Sequence, residues 1–328
     1  MKMCLIGCGG MSSTNHGPSY LRYRASNSSF VMAACSDLDP VKLEAYRAKF
    51  GFERAYTDYR QMIETEKPDA VCVIVTEAAS ATVGHAVLDY GIPMLIEKPP
   101  GKTSGETLRL VEAAQKHRVP HLVAFNRRFI PLMKVCRAWL DELGGAVYYA
   151  HYEFFRHGRN DEDFSDTAIH AIDAVRYLTG ADYAQVRFHH QDIPGKRPAN
   201  VYMDAAMTNG AIAHIHVCPD AGVVIERATL HIGDTTIMLH LPIWNDSYDL
   251  PGSIVMLRKG QVVRSMTGDQ VCDSSEVYLT NGFYEENKVF FDAVQSGAPM
   301  PSSLKEAYQT MLVKEAYAEK AATWSLQD

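Results

Sequence analysis

The chain has 328 residues, of which 22% are charged and 47% hydrophobic, so it is long enough for two globular domains. A formal net charge of -7 argues against nucleic acid or an anionic membrane as the main partner, and no apolar run approaches the ~20 residues that span a bilayer. The chain opens on a strand-like segment, so we expect no signal peptide. Its seven cysteines are scattered without a C-x-x-C pair, so we expect a cytoplasmic protein.

Residues 1–125 alternate strand and helix signals, which predicts an α/β domain with a doubly wound parallel sheet. The predicted strands cover residues 3–6, 30–35, 70–75, 93–96 and 122–125. The predicted helices cover residues 40–50, 59–65, 79–90 and 104–117.

Residues 126–328 predict a second, α+β domain with an open-faced, mostly antiparallel sheet. One helix over 165–178 is followed by alternating strands, and Asn209-Gly210 marks a hairpin because both residues tolerate positive φ. Further turns are expected at Gly233-Asp234 and Lys259-Gly260. Two helices, over 284–295 and 304–322, end the predicted elements.

A glycine-rich turn follows the first predicted strand, with the sequence Gly7-Cys8-Gly9-Gly10-Met11-Ser12. In a dinucleotide-binding turn the first glycine allows the tight bend, and the second lets the backbone approach a pyrophosphate at a helix N-terminus. Gly7, Gly9, Gly10 and Met11 are therefore predicted cofactor contacts. Ser12 is an imperfect substitute for the third glycine.

Asp37 follows the second predicted strand, where the adenosine ribose of a dinucleotide would lie. A carboxylate there accepts hydrogen bonds from the 2′-hydroxyl and repels a 2′-phosphate, which predicts NAD and makes NADP the weaker choice. Alternatively, Asp37 or Asp39 caps the helix that begins at Pro40, and the two residues can divide these tasks.

Four later segments carry a more specific pattern. They are Ile96-Glu97-Lys98-Pro99-Pro100, Asn126-Arg127-Arg128-Phe129, the run from Asp166 to Asp173, and Gly282-Phe283-Tyr284-Glu285-Glu286 with Phe291 and Gly297. The first resembles the E-K-P signature, and the third the D-x-G-x-H-x-x-D helix, of the glucose–fructose oxidoreductase / inositol dehydrogenase / rhizopine-catabolism (Gfo/Idh/MocA) family. The resemblance extends over nearly the whole chain.

The resemblance implies a Rossmann domain, an open-faced sheet domain, an active site between them, NAD or NADP, and a homodimer or homotetramer. It implies that Lys98, Asp166 and His170 are the catalytic residues. We also expect Thr76, Glu97 and Lys98 to contact the cofactor.

The chemistry of these side chains agrees with that assignment. Oxidation of an alcohol needs a base for the hydroxyl proton, and histidine, with an ordinary pKa of ~6.5, suits that exchange. Asp166 lies one helical turn before His170, so both can share a face. Lys98 follows a parallel strand, where its ammonium can orient the hydroxyl and stabilise negative charge on its oxygen.

The predicted substrate contacts are Asn126, Arg156, Arg159 and Asp173. Arginines bind carboxylates or sugar hydroxyls, although charges on surface loops explain Arg156 and Arg159 equally well. Residues 76–81 depart from the family pattern T-P-N-x-x-H, since both the proline and the histidine are missing. We therefore expect this segment to influence which substrate is bound more than whether the cofactor is bound.

No metal site is predicted. His214 and His216 share a strand face, but no further ligand is evident, so a sheet-face or interface role is favoured. The leading functional prediction is an NAD(P)-dependent dehydrogenase acting on a sugar, cyclitol or sugar derivative. Two alternatives remain: a glycoside-cleaving enzyme that oxidises its substrate transiently and then eliminates, and a non-catalytic nucleotide-binding regulator.

Overall fold

The computed structural model describes residues 1–244 and 247–326. The first eleven elements are β1 (Lys2–Ile6), α1 (Gly17–Ser26), β2 (Val31–Ser36), α2 (Pro40–Phe50), β3 (Arg54–Tyr56), α3 (Tyr59–Glu66), β4 (Ala70–Val73), α4 (Glu77–Asp89), β5 (Met94–Glu97), α5 (Ser104–His117) and β6 (His121–Ala124). A π-helical turn, Ser12–His16, precedes α1.

After a 3-10 turn at Asn126–Phe129, fifteen further elements follow. They are α6 (Pro131–Leu143), β7 (Tyr149–Phe155), α7 (Ser165–Thr179), β8 (Tyr183–Gln191), β9 (Asn200–Met207), β10 (Ile212–Cys218), β11 (Ile225–Ile232), β12 (Thr235–His240), β13 (Ser253–Arg258), β14 (Gln261–Thr267), α8 (Gly268–Val271), α9 (Val277–Thr280), α10 (Phe283–Ser296), α11 (Leu304–Ala318) and β15 (Thr323–Ser325). In the described ranges, no helix has both the length and the apolar character needed to cross a membrane.

The chain folds into two compact units. The first contains Met1–Phe125 and Phe283–Tyr308, and the second contains Asn126–Gly282 and Gln309–Asp328, of which residues 327 and 328 lie outside the described ranges. The sequence assigned residues 283–308 to the second domain, and the structure corrects this. Apolar packing is the reason, because Phe291 of α10 lies with its ring centroid 4.7 Å from that of Phe30 and 5.0 Å from that of Tyr23.

The first unit is built on a six-stranded sheet in the order β3-β2-β1-β4-β5-β6, with every pair parallel. This is the strand order of a doubly wound dinucleotide-binding fold. The strands are buried almost throughout, as expected when helices cover both faces of a parallel sheet. The predicted Rossmann architecture is confirmed, although the sequence analysis gave no range for helix α1 and missed the three-residue strand β3.

The second unit is built on a nine-stranded sheet in the order β14-β13-β12-β11-β7-β10-β9-β8-β15. All pairs are antiparallel except β7 with β10. Side chains alternate between buried and partly exposed along β7, β9 and β10, so one face forms a core with residues of α6 and α7. The predicted mostly antiparallel α+β domain is confirmed.

Phe291→Ala tests the placement of α10. Truncating this fully buried ring should lower the free energy of unfolding of the first unit by about 3–5 kcal/mol, because a cavity replaces its contacts with Tyr23 and Phe30. In calorimetry, the unfolding transition of the first unit is the one whose midpoint rises when NADH is added, since a ligand stabilises the unit that binds it. The variant should lower the midpoint of this transition.

The matched control is Phe188→Ala, a buried phenylalanine of the second unit. It should spare the NADH-dependent transition. If both variants lower that transition equally, the assignment of α10 to the first unit is wrong.

Candidate functional site

The glycine turn after β1 has the geometry that the sequence predicts. Gly7 has φ +100°, and a Cβ added there would lie 2.0 Å from the carbonyl oxygen of Ile74, so only glycine fits. Its N–H donates to the Ser36 carbonyl oxygen at 2.8 Å. A Cβ added at Gly9 would meet open space, which leaves the backbone accessible to a ligand.

Asp37 ties the end of β2 to this turn. One carboxylate oxygen accepts from the Cys8 N–H at 2.8 Å, and the other accepts from the Asp39 N–H at 2.9 Å. Asp39 caps α2 by accepting from the N–H groups of Val41 and Lys42. Asp39 is therefore the helix cap, and Asp37 instead holds the glycine turn.

A cavity of about 330 Å³ lies at the carboxyl ends of β1, β2 and β4. Four predicted cofactor residues line it, namely Gly7, Gly9, Asp37 and Thr76. Apolar and aromatic walls complete it, from Leu38, Tyr59, Ile74, Val75 and Val83. Sequence analysis missed these wall residues, although most lie directly after a strand or at the start of the next helix.

Gly10, Met11, Glu97 and Lys98 do not line this cavity in the described part of the chain. Gly10 and Met11 are exposed on the adjoining turn, and Thr76 immediately precedes α4. Helix α4 begins at Glu77, two residues before the predicted start at 79. Ser12, at the third glycine position, is fully buried and donates from its hydroxyl to the Tyr46 hydroxyl at 2.9 Å, so it packs the turn against α2.

Glu97 is the last residue of β5 and Lys98 follows it, and buried polar groups hold the glutamate. The His16 Nε2 lies 3.0 Å from a carboxylate oxygen of Glu97, and the other oxygen accepts from the Lys98 backbone N–H at 2.9 Å. Asn287 of α10 contacts the His16 Nδ1 at 3.0 Å. Because His16 is fully buried, this chain of contacts fixes the backbone from which the Lys98 side chain extends.

Asp166 and His170 lie one turn apart on α7, as predicted. Asp166 forms an ion pair with Lys314 of α11, at 2.7 Å between Oδ1 and Nζ. His170 is buried, and its Nε2 lies 3.3 Å from Nη1 of Arg127. Sequence analysis assigned no role to Lys314 or Arg127, because each is distant along the chain from its partner.

Three predicted substrate residues are buried among protein partners instead. Asp173 is fully buried and accepts from Arg128 at 2.6 and 2.8 Å, and Asn126 donates to the Asn281 carbonyl oxygen at 2.9 Å. Arg156 is 1% exposed and pairs with Glu226. These polar groups have partners within the second unit, and the contact of these residues with a substrate stays a prediction.

Glu226 is the centre of a buried charge cluster with Arg156, Arg127 and Tyr152. Burial lowers the pKa of Arg156 to about 10, although Glu226 acts in the opposite direction. Burial alone would raise the pKa of Glu226. The positive charges of Arg127 and Arg156 lower it by more, so the pKa of Glu226 lies below its ordinary value. The carboxylate therefore stays ionised, as a buried acid with two cationic neighbours must.

Arg159, the fourth predicted substrate residue, is partly exposed. It forms a two-point ion pair with Asp161, at 2.8 Å for both contacts, and donates to the Thr167 hydroxyl at 3.2 Å.

His214 of β10 pairs with Asp204, and His216 lies 3.2 Å from a ring nitrogen of His151. Within the described residues no His, Cys, Asp or Glu cluster is arranged to hold a metal ion.

The fold and the glycine-turn cavity define a dinucleotide-binding protein. Residues 1–125 match the Gfo/Idh/MocA family, described as an oxidoreductase family with an NAD-binding Rossmann fold. The match covers the first 125 residues, and it confirms the resemblance of this domain and the predicted choice of NAD.

Curated relatives and solved structures extend the likeness beyond this domain. The chain is 26% identical to D-apiose dehydrogenase of Paraburkholderia graminis, over 68% of this chain and 58% of that protein. It is 24% identical to inositol 2-dehydrogenase 2 of Saccharopolyspora erythraea, over 99% of this chain and 94% of that protein. Levoglucosan dehydrogenase, solved with NADH and levoglucosan, superposes with a TM-score of 0.84 at 19% identity, covering 100% of both chains. The structural match supports the fold of the whole chain.

Asp37→Asn should lower the preference for NAD over NADP at least tenfold. The substitution removes the negative charge that repels a 2′-phosphate, yet keeps an oxygen that accepts from the Cys8 N–H. Dissociation constants of both cofactors, measured by titration, check this. Asp39→Asn is the control, because asparagine caps a helix as well as aspartate does and should leave the ratio unchanged. An unaltered ratio in Asp37→Asn would refute the ribose assignment.

Proposed function

We propose that this protein is an NAD-dependent oxidoreductase that transfers a hydride between the nicotinamide and a hydroxyl-bearing carbon of a sugar, cyclitol or sugar derivative. The observation that carries the proposal is the cavity at the strand ends, where the open backbone at Gly9 and the carboxylate of Asp37 line one space.

The residues of this cavity fit NAD. The open space at Gly9 suits a pyrophosphate, and the Asp37 carboxylate keeps lone pairs for the ribose hydroxyls beside its two backbone contacts. The apolar walls suit an adenine ring. When bound, the nicotinamide accepts or returns the hydride.

Lys98, Asp166 and His170 are the proposed catalytic residues. In the oxidative direction a neutral His170 accepts the hydroxyl proton, while the Lys98 ammonium orients the hydroxyl and stabilises negative charge on its oxygen. Asp166 lies one helical turn before His170 and forms an ion pair with Lys314 of α11. The buried contacts of Glu97 keep the Lys98 backbone in place for this task.

A polyhydroxylated substrate is supported by the relatives, whose names specify D-apiose and inositol as substrates. We further propose a cytoplasmic homodimer or homotetramer without a nucleic-acid partner. All seven cysteines are free thiols, as a reducing compartment requires, and the net charge of -7 disfavours nucleic acid. Light scattering of the purified protein gives the oligomeric state directly.

Lys98→Met and His170→Gln should each lower kcat about 10²–10⁴-fold, the usual contribution of one general acid–base group. NAD affinity should change less than threefold in His170→Gln, because that residue belongs to the second unit while the cofactor cavity belongs to the first. Stopped-flow rates and NADH titrations check the two quantities separately. Full activity in either variant would remove that residue from the proposed chemistry.

A substrate screen should cover inositols, polyols, sugars and glycosides, following NADH absorbance and product release together. The proposal predicts that NADH accumulates in proportion to the oxidised product. Release of a glycoside's leaving group without NADH accumulation would instead show transient oxidation followed by elimination. No turnover of any compound, with NAD bound, would favour a regulator.

A further inference from the structure

We propose that a cavity of the second unit binds a carboxylate group of the substrate, so that the substrate is a sugar acid and not a neutral sugar or cyclitol. This inference rests on the proposed function and narrows it to one substrate class. The cavity has a volume of about 380 Å³. The residues that line it belong to the second unit and are Arg156, His157, Arg159, Val224 and Trp244.

The wall of this cavity carries an excess of positive charge. Arg156 is buried, and its carboxylate partner Glu226 also pairs with the buried Arg127. Two arginines therefore share one carboxylate. Burial lowers the pKa of Arg156 only to about 10, so its guanidinium is charged at neutral pH. A ligand that carries one negative charge balances this cluster.

Arg156 also has a hydrogen-bond donor that its protein partners do not use. Its guanidinium carbon lies 3.6 Å from the ring centroid of Phe154 and 4.7 Å from that of Trp244. The two Nη atoms donate to Glu226 and to backbone carbonyl oxygens, while Nε has no hydrogen-bond partner among the described residues. A buried N–H without an acceptor destabilises the folded chain. Because Arg156 lines the cavity, a ligand bound there can supply the missing acceptor.

Arg159 adds two donors to the same cavity. Asp161 accepts from its Nε and Nη2, and the Thr167 hydroxyl accepts from Nη2. A guanidinium has five N–H groups, so these contacts leave both N–H groups of Nη1 for a ligand. The ion pair with Asp161 also holds the guanidinium in one orientation, so less side-chain freedom is lost when a carboxylate binds.

The remaining lining residues suit the hydroxyl groups and carbon skeleton of a sugar acid. His157 Nδ1 lies 3.1 Å from the Ala221 carbonyl oxygen, which only accepts, so Nδ1 carries a ring proton. The neutral ring then has its lone pair on Nε2, where it accepts from a substrate hydroxyl. Val224 and Trp244 provide apolar surface against which C–H groups pack.

Arg159 also links this cavity to the helix of the proposed catalytic residues. Its Nη2 donates to the hydroxyl of Thr167, which directly follows Asp166 on α7. His170 lies on the next turn of the same helix. A carboxylate bound by Arg159 is therefore held beside α7, and the rest of the same substrate can extend toward Asp166 and His170.

The test compares compounds that differ only at one terminal carbon. The first set is D-glucuronate, D-glucose and D-glucose 6-phosphate, and the second is the corresponding galactose series. The third is D-gluconate, D-glucitol and D-glucitol 1-phosphate. Titration of the full-length protein with NADH bound gives dissociation constants, and initial rates with NAD give kcat and KM. In at least one set the acid should bind about tenfold or more tightly than both analogues, the usual effect of a charge-assisted two-point contact.

Arg159→Gln should raise the dissociation constant of that acid about tenfold or more, and that of the neutral analogue less than threefold, since only the acid uses the guanidinium. The double variant Arg159→Gln, Asp161→Asn should do the same. It removes the ion pair without changing the net charge, so repulsion by an unpaired Asp161 cannot explain the loss. Arg197→Gln is the control, because this exposed arginine pairs with Glu162 outside the described wall of the cavity. Circular dichroism checks that each variant is folded.

If no acid in the three sets binds more tightly than its neutral and phosphorylated analogues, the inference is wrong. It is equally wrong if Arg159→Gln leaves the affinity for the acid unchanged. Turnover of a neutral compound without turnover of any acid would keep the proposed function and overturn the inference. Binding of an acid that depends on Arg159, with no NADH formed from any compound, would support the carboxylate site and remove the proposed function.

Discussion

The cofactor site depends on one constraint, namely that parallel strands deliver their carboxyl ends to the same edge of a sheet. Ile6 of β1 is in register with Ser36 of β2 and Val73 of β4, and Val73 is in register with Ile96 of β5. The segments that leave these strands therefore start from a common edge. Those segments carry Gly7, Asp37 and Thr76, which is why residues so far apart in sequence line one cavity.

The second unit is organised by buried ion pairs. Arg128 with Asp173 and Arg156 with Glu226 place full charges in the interior, where removing one partner typically costs about 3–5 kcal/mol. Such pairs tolerate little displacement, because each unpaired charge would be left in an apolar surrounding. They fix α7 and the turn before α6, and with them the positions of Asp166, His170 and Arg127.

The sequence predicts best those structural features that depend on residues close together along the chain. The glycine turn, the acid after β2 and the spacing of Asp166 and His170 all depend on residues within a few positions, and the structure has these features. Helix α6 was missed despite local signals, since Pro131 begins it and buried Leu132, Met133, Cys136, Trp139 and Leu140 recur at helical spacing.

The contacts that sequence reasoning could not supply are those between segments distant along the chain. Asp173 and Arg156 are polar residues near motif positions, and only the structure shows that their partners lie 45 and 70 positions away. The same holds for residues 283–308, whose packing against Tyr23 and Phe30 cannot be inferred from their own pattern. The residue type alone does not distinguish a polar side chain that is buried against protein partners from one that binds a ligand. The difference lies in which other segments of the chain surround the side chain.

Isotope transfer tests the proposed hydride chemistry most directly. The protein is incubated with NADH deuterated at one face of nicotinamide C4, in separate reactions for each face, together with a pool of keto-sugars and inososes. Products are analysed by mass spectrometry. Hydride transfer at this site predicts a product one mass unit heavier from one of the two deuterated cofactors only, because the bound nicotinamide presents one face. NADH that binds at the glycine-turn cavity yet passes no deuterium to any carbonyl compound would contradict it.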